Sequence, residues 1–381
     1  MRPSRWYSIA RHLRQEWLLL ILLLALPALL ALQPLPVRTG MTTLPALVHW
    51  ETLATLAGLM VLSRGLEDSG YLFRAGRWLL ARMHSERSLA FALVLFSAGL
   101  AAVITNDVAL FIVVPLTLGL SASAALPVGR LVVFEALAVN AGSTLSPVGN
   151  PQNLFLWQTA GVSFLEFCVA MAPLGLGLIL MLVLAIPIAF TGRGITVSER
   201  LLPPPRQRAL LLLSLCLYPA LLIAVEAGQS LAATGLILLL YLGLARGVLR
   251  NIDWPLLAVF ALMFVDLGLL GALPAVAAGV RIAEELPGGL LTLGILLSQL
   301  ISNVPATLFL AGFSDDWRTL AWAVSVGGFG LAIGSLANVI ALRLAREPGL
   351  WVDFHRWSLP ALAGGWVVAA LSLRASGSGL A

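Results

Sequence analysis

Apolar runs long enough to cross a bilayer recur along the whole chain. No other feature constrains the fold as much. A membrane-spanning helix needs about 17 to 25 apolar residues, and runs of that order cover residues 17–35, 46–63, 128–160, 165–190, 209–226, 228–246, 254–271, 317–343 and 357–373. In hydrocarbon every backbone N–H and C=O must be satisfied inside the protein, which leaves helices and closed barrels. The alternating ten-residue segments of a barrel are absent from the sequence, so helices are expected. Composition agrees: 60% of residues are hydrophobic and 11% charged, with mean hydropathy +0.97. A soluble domain carries about 25% charged residues. Cys168 and Cys216 lie within apolar spans, and His12, His49, His84 and His355 are scattered. Neither a disulfide framework nor a metal cluster is expected.

Two further apolar stretches, 88–122 and 288–314, are each long enough for two crossings or for one re-entrant hairpin. Charge excludes a single crossing, and hairpins are expected. All 23 basic side chains are Arg. With both stretches as hairpins and the N-terminus cytoplasmic, only Arg38, Arg281, Arg318 and Arg374 fall outside, and every other Arg falls inside. That is a strong positive-inside bias. A single crossing at 88–122 would place the arginines of "TGRGITVSERLLPPPRQR" (191–208) outside. The net charge of +5 therefore reflects membrane topology, and no nucleic-acid partner is expected. Segment 69–86, "SGYLFRAGRWLLARMHSE", alternates Arg with apolar residues at helical spacing, which predicts a helix along the inner surface. The basic residues before Trp17 resemble a signal peptide in charge order. The run Trp17–Leu35 exceeds an ordinary signal core and is followed by more spans, so a retained first helix is expected.

The chain then divides into an N-terminal cytoplasmic segment and first helix (1–45), repeat 1 (46–190), a Pro- and Arg-rich cytoplasmic linker (191–208), connecting transmembrane helices (209–250), repeat 2 (251–373) and a tail (374–381). The repeats rest on matched motifs. "ALAVNAGSTLSPVGNPQN" (Ala136–Asn153) aligns without gaps to "AWAVSVGGFGLAIGSLAN" (Ala321–Asn338). Upstream, "ITND" (Ile104–Asp107) meets "ISNV" (Ile301–Val304), and "WETLA" (Trp50–Ala54) meets "WPLLA" (Trp254–Ala258). One copy starts outside and the other inside, so the repeats are inverted, a symmetry found in secondary transporters.

The motifs break their helices. Pro147, Gly149 and Pro151 cannot continue a helix, so 128–160 should be two half-helices around an unwound stretch. Asn150 is placed to cap the second half, with Pro151 at its first position. The free N–H groups and positive dipole end then face the break, which suits an anion. Gly142, Ser143, Thr144, Gly149, Asn150 and Asn153 line this half-site. Gly327, Gly328, Gly330 and Gly334 repeat the arrangement, with Ser335 as cap and Asn338 beyond it; small residues here also serve close packing. Thr105, Asn106 and Asp107 fall at the first hairpin tip, Ser302 and Asn303 at the second. Their oxygens are hard ligands suited to Na⁺, and the tips and broken helices can converge near the midplane.

Asp107 has no counterpart, since Val304 stands at its mate. A carboxylate at membrane depth is a functional candidate, and Asp also caps helices well; both roles stay open. Glu135 and Asp266 are further intramembrane acids, each with a structural alternative. Glu226 lies at a span end, and Glu67 and Asp68 sit beside Arg64. No Arg or His falls within the predicted site. The sequence contains no HExxH, GxSxG or Ser–Lys pair, so an enzyme is not expected.

"TNDVALFIVVPL", "NAGSTLSPVGNPQN", "ISNVPA" and "GGFGLAIGSLAN" resemble the signature segments of the citrate transporter-like group. That group belongs to the ion transporter superfamily, with the divalent anion:sodium symporters, arsenite permeases and a class of Na⁺/H⁺ antiporters. The resemblance covers about residues 46–373. It implies an all-α polytopic membrane protein with inverted-topology repeats, two re-entrant hairpins and two broken transmembrane helices. It also implies a homodimer working as an elevator. In the sodium–dicarboxylate symporters each tip carries Ser-Asn-Thr and binds Na⁺. Here Thr105-Asn106-Asp107 and Ser302-Asn303-Val304 occupy those tips, and both third positions depart from Thr. The expected function is secondary transport of a small anion, such as citrate or a dicarboxylate, coupled to Na⁺ or H⁺ across a bacterial inner membrane. A Na⁺/H⁺ antiporter or arsenite permease on the same scaffold is the alternative. No organic cofactor is expected; membrane lipid, the anionic substrate and the coupling cation are the expected partners, with the C-terminus periplasmic.

Overall fold

A computed structural model describes residues 17–33, 41–121, 126–195, 204–285, 287–345, 347 and 349–375. The N-terminal segment 1–16, with its four Arg, therefore lies outside the described residues, as do Arg38, Arg200, Arg346, most of the tail and the middle of the linker. The described residues form α-helices, two short 3₁₀ turns and one isolated bridge between Ser85 and Gly194.

A first apolar helix, α1 (Trp17–Leu32), precedes the first repeated unit. That unit contains α2 (Trp50–Asp68), α3 (Tyr71–Leu80), α4 (Glu86–Val103), α5 (Asn106–Ser121), α6 (Val128–Ser143), α7 (Pro151–Ala160) and α8 (Phe164–Ala189). Helices α9 (Arg208–Glu226), α10 (Ser230–Leu244) and α11 (Arg246–Arg250) connect it to the second unit. The second unit contains α12 (Trp254–Gly271), α13 (Pro274–Glu284), α14 (Gly289–Ile301), α15 (Asn303–Leu310), α16 (Trp317–Gly327), α17 (Leu336–Ala345) and α18 (Leu350–Ala375). The units match element by element. Their first Trp residues match as well: Trp50 Nε1 donates to Pro45 O at 2.9 Å and Trp254 Nε1 to Leu249 O at 2.8 Å. The surface helix α13 is the mate of α3; the hydropathy pattern singled out only α3, whose Arg residues mark its polar face.

Contacts between chain-distant ends show which ends share a face of the molecule. On the linker face, Gln207 N donates to Ser69 O at 3.1 Å, joining the end of α2 to the start of α9. Glu86 N donates to Arg193 O at 3.0 Å, and Thr191 Oγ1 donates to Glu86 Oε2 at 2.6 Å, so α4 begins there too. So does α6, because Arg130 Nη1 donates to Ala189 O at 2.8 Å at the end of α8. Helices α4 and α6 thus start on one face, and α4–α5 is a hairpin that enters and returns. On the opposite face Gln33 Nε2 donates to Leu269 O at 2.8 Å, so α1 and α12 end together. Phe313, just past α15, packs against Gly271 at the end of α12. Trp317 opens α16 and stacks on Phe167 in the first turn of α8, ring centroids 5.2 Å apart. The α14–α15 hairpin therefore enters from that opposite face. Helix α2 ends on the linker face and α12 ends opposite, so the two units are inverted.

Helix α6 runs through the centre. Every side chain from Leu131 to Ser143 is buried, and α16 is buried from Thr319 onward. A helix apolar on all sides belongs in such a position. Helices α4, α8, α9 and α12 are long and apolar enough to cross a membrane unaided. Leu165, Val169, Leu176, Leu180, Leu184 and Ile188 expose one apolar side of α8, as contact with lipid requires.

Candidate functional site

The first tip is an extended turn at Ile104 between α4 and α5. Thr105 and Asn106 are buried there. Asn106 N donates to Gly149 O at 2.8 Å, and Ser146 Oγ donates to Ala102 O at 2.6 Å. Two bonds thus clamp the tip to the unwound stretch between α6 and α7. That stretch is organised by its own amides. Asn150 Oδ1 accepts Asn153 N at 2.8 Å, the expected cap, with Pro151 opening α7. Asn150 Nδ2 reaches Ser143 O and Oγ at 3.2 and 3.1 Å. Asn153 Nδ2 gathers the carbonyls of Ser143, Thr144 and Ser146 at 3.1, 3.3 and 3.2 Å. The Ser143 and Thr144 hydroxyls both turn back to Asn140 O. Gly149 is required by space: a Cβ would stand 2.4 Å from Ser143 O and 2.7 Å from Ala101 O.

The second tip is strained. Ser302 has φ 74° and ψ 155°, and it is the one non-Gly residue with positive φ among the described residues. Such backbone costs on the order of 1–3 kcal/mol and tends to occur where function requires it. Ser302 and Asn303 are buried, and Ser302 Oγ has no partner among the described residues. Asn303 Nδ2 lies 3.2 Å from where a Cβ on Gly328 would stand, so this tip abuts the second unwound stretch.

Neighbours hold that stretch. Gln299 of α14 donates to Gly327 O at 2.7 Å and accepts Leu331 N at 2.7 Å. Ser358 of α18 donates to Gly330 O. His355 Nε2 accepts Ala332 N at 3.2 Å, while Nδ1 faces Trp351 O at 2.6 Å. Those partners make Nδ1 the protonated nitrogen. Asn338 Nδ2 donates to Gly328 O at 2.9 Å, the mate of the bond from Asn153 to Ser143. Asn140, from the other repeat, donates to Asn338 Oδ1 at 2.7 Å and to Gly328 O at 3.2 Å. Ser335 Oγ donates to Asn140 Oδ1 at 3.0 Å.

Several expectations change. Ser335 gives its hydroxyl to Asn140, and its backbone carbonyl takes the Asn338 amide. Asp107 lies in the first turn of α5, half-buried, and makes no side-chain hydrogen bond among the described residues. Its own N–H goes to Asn106 Oδ1 at 3.0 Å, so the structure shows no capping bond from Asp107. A His does reach the second stretch, His355. Glu135 is fully buried and accepts from Thr117, with Oε2 unpartnered among the described residues, whereas Arg130 pairs with Asp353 at 3.6 Å. Glu226 accepts Phe164 N. Both Asp266 oxygens are buried without partners among the described residues. Glu67 and Asp68 both pair with Arg64.

Asn140, Gln299 and His355 carry much of the site's order and were not singled out from sequence. Their one signal is a polar side chain inside an apolar span.

The citrate transporter family profile matches residues 9–373. The chain belongs to the citrate transporter family. Among relatives in sequence, inner membrane protein YbiR of Escherichia coli K12 is 45% identical over 84% of this chain and 86% of that protein. An uncharacterized transporter of Methanocaldococcus jannaschii is 31% identical over 78% of this chain and 82% of its own length. The crystal structure of the Alcanivorax borkumensis YdaH transporter matches with TM-score 0.56 at 19% identity, covering 96% of this chain and 98% of that one. That likeness concerns fold alone. This citrate transporter family member is a polytopic membrane transporter with two re-entrant hairpins and two broken helices.

Proposed function

We propose that the protein is a secondary carrier of a small anion, coupled to Na⁺ or H⁺. One observation carries the reading: each hairpin tip abuts an unwound stretch, the first at Gly149 just before α7 and the second at Gly328 ahead of α17, among buried hydroxyls, amides and backbone dipoles. No Arg side chain hydrogen-bonds into this cluster among the described residues. Helix N-termini favour an anion and unwound carbonyls favour a cation. The substrate class is a small oxyanion or carboxylate such as citrate or a dicarboxylate. Thr105, Asn106, Ser302 and Asn303 supply tip oxygens for the cation, and Gly142, Ser143, Thr144, Gly149, Asn150, Gly327, Gly328 and Gly334 shape the anion pocket. Asp107 supplies a negative charge near the first tip.

Positive-inside bias places the linker face in the cytoplasm, with the N-terminus inside and the C-terminus outside. The E. coli relative, named an inner membrane protein, supports an inner-membrane location. Helices α1, α2 and α9–α12 form the scaffold of an elevator in a homodimer, and the hairpins and broken helices form its moving part. Gln158 Nε2 meets Thr55 Oγ1 at 2.9 Å across that boundary.

Purified full-length protein is melted with citrate, succinate, phosphate, sulfate or arsenite, each in Na⁺ and in choline. Ligands of the folded state raise its apparent stability. Stabilisation by one anion is expected, greater in Na⁺ or, for proton coupling, at lower pH. In proteoliposomes Asn106→Ala and Asn303→Ala should each abolish uptake of that anion while the protein stays folded. Unchanged uptake would remove the site assignment. The position of Asp107 favours one second reading, a cation/proton antiporter: Asp107→Asn would then eliminate cation-driven proton movement, with no anion stabilisation.

A further inference from the structure

The two half-sites share a plan, and one hydrogen bond is missing from one of them. In the gap-free register of the repeats, Asn140 corresponds to Ser325 and Asn338 to Asn153. Helix α17 packs on α6, and its mate α7 packs on α16. Across the first contact the Asn140 amide reaches Asn338 Oδ1 at 2.7 Å. Across the second contact stands a serine, whose hydroxyl is one atom shorter. Asn153 Oδ1 and Ser325 Oγ are both left without a partner among the described residues, and both residues are at least nine-tenths buried (0% and 4% exposed).

The orientation of Asn153 is fixed. Its Nδ2 serves three carbonyls, so a flip would set its oxygen against three others. Asn150, which stands where the second copy has Ser335, covers Ser143 O and leaves Asn153 Oδ1 bare. Ser325 lies in the last turn of α16, at the negative end of the helix dipole, where a cation is favoured. A buried polar oxygen left unpaired is costly, and here two orphans stand where the other half has a bonded pair.

We infer that the space between Asn153 Oδ1 and Ser325 Oγ holds a monovalent hard cation, Na⁺ or Li⁺, and that the Asn140 amide fills the mated position in the other half. This site lies between half-helices of the two repeats, and its oxygens are side chains of α7 and α16 rather than of the hairpin tips. The inference deepens the carrier reading and rests on it. It makes cation binding at this level one-sided: one half is wired shut by an amide and the other is completed by an ion.

The test is thermal unfolding of the full-length protein in Na⁺, Li⁺, K⁺ or choline chloride at constant ionic strength, without added substrate anion. Wild type should be stabilised saturably by Na⁺ or Li⁺ and less by K⁺. Ser325→Asn supplies the missing amide, so it should melt higher than wild type in choline and require about tenfold or more Na⁺ for any response. Ser325→Ala keeps the volume small and removes one oxygen, so it should weaken the Na⁺ response without the gain in choline. A wild type indifferent to every alkali cation would overturn the site and leave water as its occupant. A Ser325→Asn protein with an unchanged Na⁺ response would overturn it equally. Anion stabilisation of wild type in choline separates the two claims: if it persists without any cation effect, this site falls and the anion carrier stands.

Discussion

The two repeats contain the same seven elements in the same order, yet their unwound stretches are secured by different balances of internal and external ties. The first is tied mainly by its own residues, with Asn150 and Asn153 collecting the carbonyls of Ser143, Thr144 and Ser146, and two further bonds join it to its hairpin. The second keeps one tie of its own, from Asn338 to Gly328 O, and is otherwise tied from outside, by Gln299 from its hairpin, His355 and Ser358 from α18, and Asn140 from the other repeat. Composition explains the difference. "STLSPVGNPQN" carries prolines that set the backbone and amides that bond it, whereas "GGFGLAIGSLAN" is mostly glycine and aliphatic. Glycine pays the larger conformational entropy on ordering, so the second stretch needs help from its neighbours. Sequence symmetry thus builds the frame, and departures from it distribute function: Asp107 against Val304, Glu135 against Leu320, Asn140 against Ser325.

The strongest way to break the comparison is to give both central helices a side chain at their mated glycines. A Cβ on Gly142 would stand 2.1 Å from Ala98 O, and that obstacle is backbone. A Cβ on Gly327 would stand 2.4 Å from Ser298 Cβ and Oγ, and that obstacle is a side chain. Gly142→Ala should lose more than about 3 kcal/mol or yield no folded protein, since overpacking of this kind costs at least 1–3 kcal/mol. Gly327→Ala should cost less, and Ser298→Gly should restore most of the loss. Melting temperatures in detergent measure both. Equal damage at the two positions, with no rescue, would mean that the hairpins press on their helices in the same way.

A smaller effect separates a self-tied stretch from one tied by its neighbours. Gln299→Ala leaves Gly327 O and Leu331 N without their side-chain partner, at a cost of about 1–3 kcal/mol. Hydrogen exchange should then rise at Leu331 and its neighbours while Ser143–Asn150 stays protected. A rise in both stretches would show that the halves do not order independently.

The parts legible in sequence are those where chemistry interrupts an apolar run. Pro147, Gly149, Asn150 and Pro151 cannot sit in a helix, so the break and the Asn150 cap could be placed before any coordinates. The tips could be placed because Thr105-Asn106-Asp107 and Ser302-Asn303 have no reason to lie in hydrocarbon. Charge excluded a single crossing at 88–122, because that parity would have moved the linker arginines to the other side; a hairpin and two crossings share a parity, and what the structure adds is the burial of Thr105, Asn106, Ser302 and Asn303 at the tips. The partners of Asn140 and Gln299 were not legible. Each sits in helical register within an ordinary span, and its bonds cross to segments far away in sequence. The tie from His355 was hidden for the same reason, since an isolated His near a span end is usually interfacial. Asp107 was ambiguous between cap and charge because the start of α5 had to be known to within one residue. The helix opens at Asn106, which puts Asp107 inside its first turn.

The smallest expected effect tests how far the symmetry extends beyond the site. Trp50 and Trp254 open mated helices, and each indole N–H returns to a carbonyl five residues earlier. Both rings are exposed, at 53% and 43%, as befits aromatic anchors at a membrane–water boundary. Trp→Phe keeps a ring and removes the donor, so each variant should lose about 1 kcal/mol. The freed carbonyls stand near solvent, which keeps the cost at or below that figure. The two losses should agree within roughly 0.5 kcal/mol and add in the double variant, because the sites lie on opposite faces and share no partner. A clear inequality would locate the asymmetry in the anchoring of the helices themselves. Equality would confine it to the unwound stretches, where an amide closes one half and two unpaired oxygens leave the other open.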